Sequence, residues 1–204
     1  DGAQDLVRDG DRVAGIKGRS RTGDTVQERA RVVIGADGVH SLVARAVEPP
    51  EYDVTPPLTT NYYSYYSGFE ADDLEEYVRD YQAVGCFPTH DGMTLIAVMW
   101  PSGRFEEIRT NVEAHVRKVL ESTPRVADRV QGAHREEKWF GTAGVPNYFR
   151  QPFGPGWALV GDAGYDRDPI TAQGISDAFI DAESLTNALD DGWSGRATLD
   201  NALA

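Results

Sequence analysis

The chain has 204 residues, a formal net charge of −13 and 40% hydrophobic residues, which suffices for one sizeable domain or two small ones. The acidic balance argues against nucleic acid or an anionic membrane as a partner, because there is no basic surface to release counterions. Cys86 is the only cysteine, so an internal disulfide is excluded and a reducing, cytoplasmic setting is expected. No apolar run approaches the roughly 20 residues of a membrane span.

The first third of the chain is typical of short strands joined by turns. An Asp-Gly turn at Asp9-Gly10 and a second turn at Gly23-Asp24 are flanked by alternating apolar and polar residues. Val32 to Ile34 then form a short apolar run that ends in glycine-rich backbone. The pattern predicts antiparallel strands followed by one buried strand.

The middle of the chain has a different composition. Residues 47–58 hold four prolines, which suits a crossing between structural units, and residues 59–69 and 92–100 are rich in the aromatic and β-branched side chains of strands. Residues 71–82 form a charged connection that is predicted to be partly helical. The spacing of apolar residues predicts a helix over 105–123, ended by Pro124.

The last part of the chain begins with "WALVGDAGYDRDPITAQGISDAF", residues 157–179. It predicts a buried strand that ends in Gly161-Asp162 and a helix that starts near Thr171. Glycine lets backbone approach a ligand closely, the Asp162 carboxylate can accept hydrogen bonds from sugar or polyol hydroxyls, and the helix start offers free N–H groups. Gly174 in the first turn costs about 1 kcal/mol against alanine, a cost that is explained if a flat, partly anionic group such as a reduced flavin lies against the turn.

Two motifs carry a resemblance to a known family. "GDAGYDRDPITAQGISDAFIDAESL" resembles the Gly-Asp flavin motif of the FAD-dependent monooxygenases related to aromatic hydroxylases, and "VIGADGVHSLVAR" resembles their Asp-Gly motif. The order and spacing of the two motifs match that family. The resemblance implies an α/β, glutathione-reductase-like FAD-binding domain with an inserted, mostly antiparallel substrate sheet.

The resemblance also implies which residues bind the cofactor. Asp162 would hydrogen-bond the ribityl chain of FAD, Pro169 would lie against the flavin ring near its reacting edge, and Gly174 with its neighbours would offer N–H groups to the N1–C2=O side. Asp37 belongs to a motif associated with the FAD pyrophosphate and with reduced nicotinamide. The full set of implied cofactor-binding residues is Asp37, Gly38, Gly161, Asp162, Pro169, Ala172, Gln173, Gly174 and Ile175.

Several features depart from the family pattern. Gly164-Tyr165 replaces the usual Ala-His, Ala172 replaces a glycine, and Ala44 intervenes before Arg45. No G-x-G-x-x-G fingerprint for the ADP half of FAD occurs in the chain, so the expected fold lacks its first βαβ unit. The expected domains are residues 1–48 with 141–204 for FAD and residues 49–140 for the substrate.

The implied reaction uses NAD(P)H and O2 to hydroxylate an apolar or aromatic small molecule through a flavin C4a-hydroperoxide. A reductase or dehydrogenase of the same fold, or an inactive fragment acting as a binding or structural module, remains an alternative. A flavin halogenase is less favoured, because the tryptophan-bearing motif of that group is absent from the sequence. No catalytic side chain is identified, and oligomeric state is left open.

Aromatic residues of the middle region have two possible roles. Tyr62, Tyr63, Tyr65 and Tyr66 occupy both faces of a predicted strand, and each face is expected either to pack in the core or to line a substrate pocket. The same alternatives hold for Phe87, Met99 and Trp100. The pocket candidates are Tyr63, Tyr65, Phe87 and Trp100. The four histidines show no metal-ligand spacing, so no metal is predicted.

The missing glycine fingerprint yields a testable prediction. The 204-residue chain alone is expected to bind FAD poorly, because it lacks the G-x-G-x-x-G fingerprint that holds the ADP half in the family. Titration of the purified chain with FAD, followed by flavin fluorescence, measures the affinity. Tight, stoichiometric binding would contradict the prediction.

Overall fold

A computed structural model describes residues 2–203 and gives a mixed α/β fold. The strands, numbered in chain order, are β1 (Gly2–Asp9), β2 (Arg12–Arg19), β3 (Thr25–Arg29), β4 (Val33–Gly35), β5 (Glu51–Thr55), β6 (Thr59–Ser67), β7 (Glu75–Arg79), β8 (Gln82–Pro88), β9 (Thr94–Pro101), β10 (His134–Arg135), β11 (Phe140–Thr142), β12 (Asn147–Arg150), β13 (Phe153–Gly154), β14 (Trp157–Leu159) and β15 (Tyr165–Asp166). The helices are α1 (Leu42–Val47), α2 (Phe105–Ile108), α3 (Val112–Ser122), α4 (Pro124–Gln131), α5 (Gly174–Trp193) and α6 (Leu199–Leu203). None of the helices within residues 2–203 is long and apolar enough to cross a membrane.

The chain divides into two compact units. Within the described residues, the first unit takes in the chain up to Thr55, Pro146–Arg167 and the chain from Ala172 onward. The second unit comprises Pro56–Val145 and Asp168–Thr171. These boundaries differ from the expected ones, because β5 pairs with β12 and stays in the first unit, whereas β11 pairs with β6 and stays in the second.

The first unit contains three small sheets. Strands β1, β2 and β3 form an antiparallel sheet, β14 lies between β13 and β4, and β12 lies between β15 and β5. The predicted turn at Asp9-Gly10 joins β1 to β2, and Gly10 supplies the positive φ of 59°. Helix α1 packs its apolar side into the core of this unit. The buried core residues are Leu6, Val13, Val33, Val43, Ala44, Trp157, Leu159 and Ala163.

The second unit is built on an antiparallel sheet, which confirms the predicted sheet of the middle region. Its strand order is β10-β6-β9-β8-β7, and β11 also pairs with β6. Apolar residues of α3 and α4 cover one face of this sheet and form the main core with it. That core consists of Tyr66, Phe69, Val84, Cys86, Ile96, Val98, Trp100, Ile108, Val116, Val119, Leu120 and Val126.

Two predicted elements of the middle region are wrong. Residues 71–82 hold strand β7 and a tight turn at Asp80 and Tyr81, both at positive φ, instead of a partly helical connection. The predicted helix over 105–123 is split into α2 and α3, because Asn111 leaves helical geometry and caps α3 by accepting from the Ala114 N–H at 3.1 Å. Pro124 occupies the first position of α4, where its missing N–H costs nothing.

An ion pair fastens α4 to the sheet of the second unit. Arg129 donates to both carboxylate oxygens of Glu75 on β7, at 2.9 and 2.6 Å, and its guanidinium lies 4.4 Å from the centre of the Phe69 ring. Hydrogen bonding to Arg129 lowers the pKa of Glu75 to about 2. The charged form of Glu75 is therefore favoured by the folded state.

Replacing Glu75 with glutamine is expected to lower the free energy of unfolding by about 1.5 to 3 kcal/mol near neutral pH, because a bidentate charge-assisted pair is lost. Since the pKa of Glu75 is lowered by folding, its contribution is complete above the usual value of 4.5 and disappears as the pH falls towards about 2. Denaturant unfolding at several pH values measures both effects. Glu76→Gln, at an exposed position of the same strand, is the control; equal losses in the two variants would contradict the prediction.

Candidate functional site

The parallel pairing of β4 with β14 brings the two sequence motifs to one edge of a sheet. Val33 pairs with Trp157 and Gly35 with Leu159, and the Val160 N–H donates to the Gly35 carbonyl at 3.0 Å. Both strands therefore end at the same edge, and the Asp37 and Asp162 segments leave from it. Ligands of open α/β sheets bind outside this carboxyl edge.

The Asp37 segment is a capped loop that leads into α1. An Asp37 carboxylate oxygen accepts from the Leu42 N–H at 2.7 Å, and the Ser41 hydroxyl oxygen accepts from the Ala44 N–H at 3.1 Å. Gly38 has a φ of 75°, and a Cβ placed there would meet no atom within 4 Å. The Asp37 side chain is therefore exposed to solvent and also fixed by its hydrogen bond to α1, and there is open space beside Gly38.

The Gly-Asp motif forms a 3₁₀ turn, Gly161–Ala163, that presents one side chain outward. Gly161 and Ala163 are buried, whereas Asp162 between them is exposed. Gly161 has a φ of 57°, its N–H donates to a carboxylate oxygen of Asp181 on α5 at 2.9 Å, and a Cβ would lie 3.2 Å from the Ala178 Cβ. The Asp162 carboxylate is therefore held outward by a turn locked against α5.

Helix α5 begins at Gly174 and not near Thr171 as predicted. The reason is Ala172, whose positive φ of 52° breaks helical geometry after the 3₁₀ segment Pro169–Thr171. Strain of this kind explains why the family pattern has glycine where this chain has Ala172. The Gln173 side chain makes no capping hydrogen bond, and a Cβ at Gly174 would meet nothing within 4 Å.

These features of the first unit fit a flavin cofactor. Asp162 offers an exposed acceptor for hydroxyl groups, and the first turn of α5 offers uncapped N–H groups beside a glycine with open space around it. Ile175 adds an exposed apolar side chain, 77% accessible, to the same helix turn. An exposed acceptor, exposed donors and an apolar contact are what a flavin with its hydroxylated chain requires.

A partly buried cluster of acidic and aromatic side chains lies beside the Gly-Asp turn. Burial, with the charge of Asp177, raises the pKa of Asp181. Burial and the neighbouring carboxylates also raise the pKa of Tyr165 to about 12. The Tyr165 ring stacks on Phe149 at 5.3 Å, and Phe149 stacks on Tyr52 at 5.6 Å. The unusual tyrosine of the motif is therefore part of a three-ring stack.

The second unit has an aromatic face on the side of its sheet opposite the main core. Tyr63 stacks on Phe140 at 5.4 Å and meets Tyr65 edge-on at 6.2 Å, and strand register puts Phe87 on the same side as Tyr65. We define the aromatic face as Tyr63, Tyr65, Phe87 and Phe140 together with Leu95 and the buried Ala83, Ala97 and Met99.

Strand alternation places the aromatic residues on different faces of the sheet. Tyr62 and Tyr66 pack in or against the main core, and Tyr63 and Tyr65 lie on the aromatic face. Trp100 is 1% exposed in the main core, which corrects the expectation that it lines a pocket. The pattern could not show this, because apolar side chains occur on both faces of the strand.

The segment that carries Pro169 belongs to the second unit and is anchored to the start of β6. An Asp168 carboxylate oxygen accepts from the Thr59 N–H at 2.8 Å, and the Thr59 hydroxyl donates to the same carboxylate at 2.9 Å. Ile170 packs against Ala83, Ala97 and Met99 of the aromatic face. Pro169 is therefore held beside that face.

Sequence reasoning missed two residues of this arrangement, Asp168 and Asp181. Asp181 lies one helical turn after Ala178 and so faces the Gly-Asp turn, a spacing that the sequence does contain. Asp168 had no local signal, because its partner Thr59 lies 109 positions away. Within residues 2–203, no group of three or more His, Cys, Asp and Glu side chains is arranged to hold a metal ion.

Comparison with known protein families matches residues 2–202 to the family described as FAD binding domain. The chain belongs to this FAD-binding family. The match spans nearly the whole chain and confirms the resemblance to FAD-dependent monooxygenases that the two motifs predicted. The family points to a FAD-dependent oxidoreductase.

The chain is similar to individual proteins whose names describe different reactions. Among curated proteins, the chain is 28% identical over 207 residues to digeranylgeranylglycerophospholipid reductase of Methanothrix thermoacetophila, covering 95% of this chain and 50% of that protein. Flavin-dependent brominase Bmp2 superposes with a TM-score of 0.83 at 20% identity, over 98% of this chain and 53% of that one. PqsL, a probable FAD-dependent monooxygenase from Pseudomonas aeruginosa, superposes with a TM-score of 0.73 at 23% identity, over 98% and 56%. The chain thus spans about half the length of these proteins.

The two positive-φ positions of the motif predict opposite effects of substitution. Ala172→Gly is expected to raise the free energy of unfolding by up to about 1 kcal/mol, because it relieves left-handed strain at the cost of unfolded-chain entropy. Gly161→Ala is expected to lower it by about 1 to 2 kcal/mol, because it adds that strain and crowds Ala178. Denaturant unfolding of both variants measures the changes, and the same sign in both would contradict this account of the backbone.

Proposed function

We propose that the protein is a FAD-dependent monooxygenase that uses NAD(P)H and O2 to hydroxylate an apolar or aromatic small molecule. The observation that carries the proposal is the anchoring of the Pro169 segment beside the aromatic face through Asp168 and Ile170. By the family resemblance, Pro169 lies against the flavin ring near its reacting edge. Pro169 and the aromatic face both belong to the second unit, so the residue that the resemblance assigns to the flavin's reacting edge shares a unit with the candidate substrate surface.

The chain's own residues have definite tasks in this proposal. Asp162 would accept hydrogen bonds from the ribityl hydroxyls, and the N–H groups at Gln173 and Gly174 would bind the N1–C2=O side of the ring. Asp37 and Gly38 would border the cofactor at the end of β4. FAD, when bound, supplies the electron transfer from NAD(P)H to O2, and the protein orients it and keeps water away.

The aromatic face suits the proposed substrate class. The small apolar side chains of Ala83 and Ala97 are buried there, and the half-buried rings of Tyr63 and Tyr65 lie on the same face of the sheet. Aromatic rings attract a planar apolar ligand through stacked or edge-on contacts, and their hydroxyl groups can orient it. The proposal thus includes a small-molecule partner and no nucleic acid, and the single cysteine supports a cytoplasmic setting.

A reductase is the second candidate. The 28% identical relative is named a reductase, and such an enzyme would use the same FAD contacts without inserting oxygen. The two candidates differ in what becomes of the electrons. A monooxygenase passes them to O2 in the presence of its substrate, whereas a reductase passes them to the substrate itself.

The test uses the protein produced from its complete gene. We expect it to carry FAD and to oxidise NAD(P)H with O2 uptake that accelerates with a small aromatic substrate, giving a product with one added oxygen. Turnover under nitrogen with another acceptor would favour the reductase. Halide-dependent formation of a halogenated product would instead contradict hydroxylation.

Asp162→Ala provides a second readout that needs no substrate. Loss of a charged acceptor, worth about 1.5 to 3 kcal/mol, is expected to weaken FAD binding about tenfold to 100-fold. Asp11→Ala, at an exposed position between β1 and β2, is the matched control. Unchanged FAD affinity in Asp162→Ala would contradict the assigned role.

A further inference from the structure

Asp168 is an unusual residue for a loop, because its carboxylate is buried. The residue is 8% exposed, and a charge that is withdrawn from water needs hydrogen bonds to replace hydration. Such bonds come from the Thr59 N–H at 2.8 Å, the Thr59 hydroxyl at 2.9 Å and the Ile170 N–H at 3.2 Å. The carboxylate therefore joins the Pro169 segment to the start of β6.

We propose that Asp168 is a positioning residue, which fixes Pro169, the residue that the resemblance assigns to the flavin's reacting edge, beside the aromatic face. This inference rests on the proposed function and adds a residue that the two flavin motifs do not assign. Asp168 would not touch the reacting atoms. It would act through Pro169 and Ile170, its neighbours in the chain.

Thr59, the partner of Asp168, lies on the strand that carries the candidate substrate-binding rings. Thr59 is the first residue of β6, the strand that carries Tyr63 and Tyr65 of the aromatic face. Asp168 thus attaches the segment to the same strand that presents those rings. Ile170 adds a second attachment, because it packs on Ala83 and Ala97 from neighbouring β8 and β9.

The backbone after the segment explains why such an anchor is needed. Ala172 has a φ of 52°, a left-handed conformation that is unfavourable for a residue with a Cβ and persists only when the surrounding structure holds it. A family pattern with glycine at this position has no such strain. The buried carboxylate opposes the relaxation of the segment, and the hydroxyl and N–H of Thr59 fix its direction.

The test compares Asp168→Ala, Asp168→Asn and Thr60→Val in the protein produced from its complete gene. Thr60→Val is the matched control. Thr60 follows Thr59 on β6, and the substitution removes a hydrogen bond from its buried hydroxyl to the Thr142 carbonyl on β11, not a bond to Asp168. We expect Asp168→Ala to speed amide hydrogen exchange at Thr59 at least tenfold and to shift the visible absorbance bands of bound flavin. Product formed per NAD(P)H consumed should fall on the order of 100-fold, because a small misplacement near the reacting atoms is costly.

Asp168→Asn keeps an acceptor for the Thr59 N–H and should restore most of the exchange protection and of the flavin spectrum. Thr60→Val should leave the spectrum and the product ratio unchanged even where it lowers stability. If Asp168→Ala matches Thr60→Val in exchange at Thr59 and in spectrum, the inference is wrong. A wild-type protein that binds no flavin would instead contradict the proposed function, and exchange at Thr59 would still decide whether Asp168 anchors the segment.

Discussion

The parallel pairing of β4 with β14 is the constraint on which the candidate flavin site depends. Its register aligns Gly35 with Leu159, so that two segments more than 100 positions apart leave the sheet at one edge. Each segment then turns at a glycine with positive φ. Gly38 turns beside open space, and Gly161 turns against Ala178 of α5. Without this pairing, nothing would bring the exposed Asp162 carboxylate and the Asp37 loop to the same edge of a sheet, where one ligand could contact both.

The second unit meets a different physical demand, because its sheet must be apolar on both faces. One face is closed by α3 and α4, and the other carries rings over a floor of small side chains. Anchoring of the Pro169 segment to β6 uses a buried carboxylate with fixed partners, which holds one geometry better than apolar contacts alone do. Flexible packing there would leave the segment free to slide across the aromatic face.

The sequence predicted the features that depend on local chemistry or on a known motif. The turn at Asp9-Gly10, the antiparallel sheet and the two flavin motifs were legible because glycine, alternation and motif spacing are local signals. The sequence predicted the start and the end of the helical region that begins at Phe105. It did not predict the break at Asn111, because the N-cap of α3 depends on that one side chain. Trp100 and Tyr63 could not be separated by pattern, since burial of both faces hides the strand period. The Asp168 anchor depends on Thr59, and no local rule joins residues so far apart.

The segments at Asp37 and Asp162 are proposed to bind one and the same cofactor. A crystal structure of the complete protein with FAD tests it most directly. We expect the ribityl chain to lie within hydrogen-bond distance of Asp162 and the Asp37–Gly38 loop to border the same molecule. FAD bound away from the shared edge of β4 and β14, or in contact with only one of the two segments, would contradict it.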